Sequence, residues 1–184
     1  VLEKYALPKD FMLYVGSLIE RKNLLGVVEA MAGLPQNVKL PLVVVGQGDV
    51  YKRRVQQLAQ ERGILDQLIF IQPSFAELPA LYQQAQLFVY PSYAEGFGIP
   101  VLEALFSGVP VLTSNVSSLP EAAGPAGYLV DPGNAEAMKE GMVSLLTDQA
   151  LRKEKIAAGY QYAQQFTGEV LTEQLVSAYK SLLD

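Results

Sequence analysis

Short runs of nearly continuous apolar residues recur along the chain, each followed by a stretch with helical spacing. "FMLYVG" (11–16), "LVVVG" (42–46), "LIFIQ" (68–72), "LFVY" (87–90), "PVLTS" (110–114) and "GYLV" (127–130) read as six strands. Runs apolar at every position, rather than at alternate ones, belong to strands covered on both faces, as in a parallel sheet. The segments 23–32, 50–62, 76–84 and 100–107 read as helices between them, and a short helical turn follows Ser118. Three more helical segments, 134–146, 149–165 and 169–183, then follow without a strand. The expected fold is α/β: a Rossmann-like doubly wound parallel sheet of six strands with a helical C-terminal tail, the turn "DPGN" (131–134) separating the two.

Composition bounds what this fold can do. At 184 residues, half of them hydrophobic, the chain is expected to bury one core as a single domain over 1–184. A formal net charge of −5 argues against a broad nucleic-acid footprint, so an anionic ligand must be met by a local site. With no cysteine and no histidine there is no thiolate chemistry, no Ser-His-Asp triad and no imidazole metal site. No apolar run approaches the roughly 18 residues of a membrane span, and no signal peptide opens the chain, so a cytoplasmic setting is expected. The chain begins on Val1 and reads as an excised domain.

In open α/β sheets the ligand crevice lies beyond the carboxyl ends of the strands, and the chemistry-bearing residues fall in those loops. "EGFGIPVLEALFSG" follows the fourth strand, with Pro100 suited to the first turn of a helix. Gly96, Phe97, Gly98 and Ile99 then precede or open that helix, where unpaired N–H groups and the helix dipole attract anions. Glu103, in or just past the first turn, is expected to lean toward the same crevice and accept hydrogen bonds from ribose hydroxyls. Glu95, at the loop mouth, suits a second hydroxylated group. Taken alone, Glu103 reads as an acid complementing the helix dipole; the company of Glu95 and the glycines favours a ligand with phosphate between two sugars.

A second constellation, "YVGSLIERKNL", places Gly16, Ser17, Arg21 and Lys22 after the first strand. Two cations ahead of a helix oppose its dipole, so helix stability does not explain them; a diphosphate would. "GQGD" (46–49) reads as a tight turn between strand and helix, and "SLPE" (118–121) as a capping box.

These residues resemble the C-terminal, nucleotide-sugar-binding half of GT-B retaining glycosyltransferases of family four, the glycosyl transferases of group 1. "VGSLIERKN" is similar to the family's first-loop motif, and Glu95 to Glu103 to its E-x7-E motif. "FTGEV" (166–170) is similar to its closing Phe-Ser-Trp-Glu, with Gly168 in the tryptophan slot. The resemblance implies that Lys22 and Arg21 hold the donor diphosphate, that Gly16, Ser17 and the amides of Gly96, Phe97, Gly98 and Ile99 line the donor site, and that Glu95 meets the transferred sugar and Glu103 the ribose. Ser17 stands where many relatives carry arginine, and Gln72 where they carry glycine. No Asp-x-Asp occurs, so a metal-independent reaction without a cofactor is expected, the donor being a UDP-, GDP- or ADP-linked sugar. Also implied are a separate N-terminal domain, polysaccharide biosynthesis, and a saccharide or lipid-linked acceptor met in the cytoplasm or at the inner membrane face. A GT-B nucleotide-sugar epimerase and a non-catalytic nucleotide-binding scaffold are the rival readings.

Overall fold

The computed structural model describes residues 1–182. The strands are β1 (Met12–Val15), β2 (Leu42–Val45), β3 (Leu68–Ile71), β4 (Leu87–Tyr90), β5 (Val111–Ser114) and β6 (Tyr128–Val130). They form one sheet in the order β3-β2-β1-β4-β5-β6, with every pairing parallel. The expected strands are all present, each within two residues of its expected ends.

Alternation along each strand divides the core into two. Met12, Tyr14, Leu42, Val44, Leu87 and Val89 pack on one face under α1 (Leu24–Ala32), α2 (Asp49–Glu61) and α6 (Ala135–Thr147). Leu13, Val43, Phe88 and Tyr90 pack on the other under α3 (Leu78–Gln84), α4 (Ile99–Phe106) and α5 (Leu119–Ala123). Right-handed crossovers require this split, because the connections from β1 run outward through β2 while those from β4 run the other way. The reversal falls between β1 and β4, which pair Met12 with Leu87, and this switch point is where folds of this kind place their ligand crevice.

The C-terminal segment is more than a tail. Met138, Met142 and Leu145 of α6 enter the first core, and α7 (Gln149–Ala163) crosses to pack on α4 and bury Ala163 in the second. Among the described residues α8 (Gly168–Ser181) is the α-helix that buries no side chain, leaving Leu171, Leu175, Val176 and Tyr179 exposed. Position 183 of the expected last helix lies outside the described residues.

One loop residue ties the carboxyl edge together. Asn23 is 3% exposed and holds φ +58°, a region that suits Asn or Gly. Its Oδ1 accepts from the Gly26 N–H and caps α1, while its Nδ2 donates to the carbonyls of Pro91 (3.0 Å) and Pro132 (2.7 Å). The loops after β1, β4 and β6 therefore meet on one carboxamide. Replacing Asn23 by Ala removes the cap, strands two buried acceptors and strains the backbone, and is expected to cost about 2–4 kcal/mol; Asn23→Gly recovers the backbone part. Urea denaturation of the two variants checks the ordering, and an Ala variant as stable as wild type overturns it.

Candidate functional site

The crevice over β1 and β4 is lined from both sides. After β1 the chain makes a short 3-10 turn, Glu20–Lys22, and the Lys22 side chain folds back under the loop. Lys22 is only 8% exposed, with Nζ 2.5 Å from the Tyr90 hydroxyl, 2.5 Å from Glu95 Oε1 and 4.9 Å from the centre of the Tyr90 ring. Arg21, near the surface, donates to the Ala94 carbonyl and lies 3.1 Å from Glu95 Oε2. The Tyr93 N–H donates to the Arg21 carbonyl at 2.9 Å. The two cations expected from one loop and the carboxylate expected from another thus form one ion-paired junction. Gly16 sits beside it, between Tyr14, Tyr90 and the Lys22 stem, while Ser17 is exposed on the loop.

The electrostatics follow from burial and pairing. Burial pushes the Glu95 carboxyl up, but hydrogen bonds from Lys22 and Arg21 pull further the other way, so it stays below the ordinary value of 4.5. Burial, reinforced by the Glu95 charge, pushes the Tyr90 phenol well above its usual range, so it remains a neutral hydroxyl that accepts from Lys22.

The loop carrying Glu95 is held from behind. Ser117, itself at φ +59°, accepts from the Glu95 N–H at 3.1 Å and contacts the Glu95 carbonyl at 2.8 Å. The Ser118 hydroxyl reaches the carbonyls of Glu95 (3.0 Å) and Phe97 (2.8 Å). This corrects the capping-box expectation for 118–121: Ser118 makes no side-chain cap and instead braces the neighbouring loop. Glu77 holds such a position at 74–77, accepting from the Ser74 N–H and hydroxyl. The tight turn expected at 46–49 is present, with Gly48 at φ +144° so close to Leu18 that a Cβ would lie 2.2 Å from its carbonyl oxygen.

Ahead of α4, the N–H groups of Gly96, Phe97, Gly98 and Ile99 have no intramolecular acceptor among the described residues. The two glycines serve different ends. Gly98 holds φ +115°, and a Cβ there would press Leu119 and Ala122, whereas Gly96 is exposed with open space where a Cβ would go. The Phe97 side chain turns away from the crevice onto Phe166, ring centres 5.5 Å apart, which leaves its amide as its contribution to the loop. Ile99 is 64% exposed at the start of the helix.

Glu103 departs from the expected arrangement. Being the fifth residue of α4, it faces α3 rather than the Gly-Phe-Gly loop, and accepts from the Tyr82 hydroxyl at 2.8 Å. It lines a groove of about 220 Å³ with Phe75, Leu78, Pro79 and Phe106, one end of which is bounded by Phe75 just past the carboxyl end of β3. No residue lining that groove belongs to the Lys22 junction. Sequence reasoning passed over Tyr90, Tyr82 and Ser117, and read Ser118 only as a cap. Tyrosines inside apolar runs were the available signal, since a phenol in a buried strand or helix needs a polar partner.

Residues 3–162 match the sequence profile of the family described as Glycosyl transferases group 1. The chain is 39% identical, over 99% of its length, to O-antigen chain mannosyltransferase B of Escherichia coli, covering 49% of that protein. It is 27% identical over 93% to the phosphatidyl-myo-inositol mannosyltransferase of Mycobacterium leprae, covering 46%. Among solved structures, sucrose-phosphate synthase of Thermosynechococcus elongatus superposes with a TM-score of 0.85 at 31% identity, over 99% of this chain and 48% of that one. The C-terminal domain of a group 1 glycosyl transferase from Francisella tularensis matches with a TM-score of 0.74 at 24% identity, covering 89% of both chains. The chain spans about half the length of the curated relatives it matches.

The junction generates a pH-dependent prediction. Because the folded Glu95 carboxyl lies below its unfolded value, its contribution is fully present above about 4.5 and is lost as pH falls through the lower folded value. At pH 7 Glu95→Gln is expected to destabilise by about 1–3 kcal/mol, since Lys22 keeps only Tyr90 and a weaker amide acceptor. In urea titrations the gap to wild type should close at acid pH; a gap that widens there sinks the assignment.

Proposed function

Because the chain belongs to the glycosyl transferases group 1 family, we propose that it is the donor-binding half of a GT-B enzyme that transfers a mannosyl group, with retention, from a nucleotide diphosphate sugar. The observation that carries the reading is the Arg21, Lys22 and Glu95 junction beside four unpaired amides at the β1 and β4 crevice. Mannose is chosen on the names of the relatives, and polysaccharide or lipid-linked saccharide acceptors fit the same names. The Anabaena protein HepE, whose fold superposes with a TM-score of 0.86 at 19% identity, has been solved with UDP-glucose; its likeness bears on the fold alone.

The mechanism follows from where charge develops. As the bond from anomeric carbon to phosphate breaks, negative charge gathers on the departing diphosphate and positive character on the sugar ring. Lys22, Arg21 and the amides of residues 96–99 meet the first; each hydrogen bond to a charged group contributes about 1.5–3 kcal/mol. Such bonds accelerate the step to the extent that they strengthen as the charge grows. Glu95, on the same side, accepts from the sugar hydroxyls and favours the cationic ring. Leaving-group charge is assigned to these cations and amides. In the groove beside α3, Glu103 meets the ribose, and Phe75, 86% exposed, offers its ring to the base.

The acceptor and the opposite wall of the cleft are assigned to a second domain, so this chain is proposed to bind the donor without turning it over. Among the described residues no helix is long and apolar enough to cross a membrane.

Calorimetric titration with UDP, GDP, ADP and their mannose conjugates tests the reading. One nucleotide series should bind, with Lys22→Ala and Glu103→Ala each weakening it about tenfold or more. Affinity unchanged by chelator is expected, and absence of binding by every nucleotide would favour a scaffold. Turnover by the 184 residues alone, at the rate of a two-domain chain, would overturn the assignment of the acceptor side elsewhere.

A further inference from the structure

Beside the loop that carries Arg21 and Lys22 lies a separate depression, a cleft of about 500 Å³ between α1, α2 and the loop after β6. Its volume falls within the ~300–1,000 Å³ typical of ligand clefts. Two tyrosines shape it. Tyr51, 6% exposed, accepts the Leu25 N–H at 3.2 Å, leaving its own proton free to donate into the cleft. Tyr93, half exposed, presents a ring and a hydroxyl at the rim. Apart from Asn23, whose carboxamide is spent on the loops, the remaining polar lining is planar: the carboxylates of Glu20, Glu29 and Glu61, the Gln57 carboxamide and the Arg54 guanidinium.

The charge of this lining selects the class of ligand. The lining holds three carboxylates and one guanidinium; that guanidinium is already paired with Glu20, and Glu61 accepts from the Gln57 carboxamide at 3.0 Å, which leaves the Gln57 oxygen as an acceptor. Arg62 engages Glu29 from outside the lining, at 2.8 and 2.9 Å. A phosphate would find every neighbouring guanidinium already paired with a carboxylate here, in contrast to the Arg21 and Lys22 crevice. A neutral polyhydroxylated ring is suited to it, because its hydroxyls donate to planar carboxylate and carboxamide oxygens while a C–H face rests on a tyrosine ring.

Position ties the two sites together. Glu20 immediately precedes Arg21, and the backbone of Tyr93 is bonded to that of Arg21, so the cleft and the donor crevice are the two flanks of one loop junction. We propose that this cleft is a saccharide-binding subsite, occupied by neutral sugar residues of the growing glycan at a distance from the transfer point. The proposal rests on the donor-domain reading for the source of the glycan, but not for the binding itself.

The test is protein-observed NMR titration of the 184-residue chain with α-linked mannotriose, run beside the nucleotide that binds best. Mannotriose should shift resonances around Tyr93, Gln57 and the start of α1, and Tyr93→Ala or Gln57→Ala should weaken it about threefold to tenfold while leaving nucleotide affinity unchanged. Both replacements fall on exposed side chains, so folding is preserved. Lys22→Ala should do the reverse. Mannotriose shifts confined to the Glu95 loop, or none at all, overturn the subsite whether or not nucleotide binds. Loss of nucleotide binding with the mannotriose shifts retained sinks the donor reading alone.

Discussion

A lysine buried to within 8% of full coverage is the constraint on which the carboxyl edge of this domain depends. Taking an ammonium out of water costs several kcal/mol unless its protons are met, and Lys22 finds its partners on the neighbouring strand and loop. Tyr90, the last residue of β4, and Glu95, five residues further on, supply them. That demand fixes where the loop after β4 must run. Ser117 and Ser118 then hold the same loop from behind, and α4 starts with its first amides facing outward. The run of outward-facing amides is thus a consequence of how the loop is anchored and not an independent device.

The fold was legible because its strands are apolar on both faces, which leaves little room for any arrangement but a covered parallel sheet. The helices were legible in position, with boundaries displaced by a residue or two. Where local pattern and tertiary context competed, tertiary context won. Residues 118–121 satisfy a capping box on paper, yet two carbonyls of an adjacent loop lie within reach of the Ser118 hydroxyl, and it turns to them. Glu103 was read as leaning back along its helix, but the buried Tyr82 phenol needs an acceptor and draws the carboxylate sideways toward α3. Phe97 was read for its place between glycines; its ring answers to Phe166, nearly seventy residues on, which no local pattern reveals.

The C-terminal helices divide by the same logic of burial. α6 and α7 close the two faces of the sheet and belong to the domain, whereas α8 keeps Leu171, Leu175, Val176 and Tyr179 in the open. Among the described residues nothing buries this apolar stripe at helical spacing, which is the pattern of a surface made to be covered.

The donor counts of the two cations explain why the junction can be assembled before any ligand arrives. An ammonium has three protons, and Tyr90 and Glu95 take two of them; a guanidinium has five, of which Ala94 and Glu95 engage a part. A diphosphate over the crevice can therefore accept from Lys22 and Arg21 without displacing Glu95, and no charge has to be left unpaired in the exchange. Under the proposed function Glu95 is oriented by the same cations that are assigned to the phosphate, so the group assigned to the sugar and the groups assigned to the leaving group are positioned by one network. Such preorganisation lets hydrogen bonds act on developing charge without first rearranging, which is where electrostatic catalysis gains most. The cost is carried by the fold, in the burial of Lys22, and is offset by the pairing that shapes the loop.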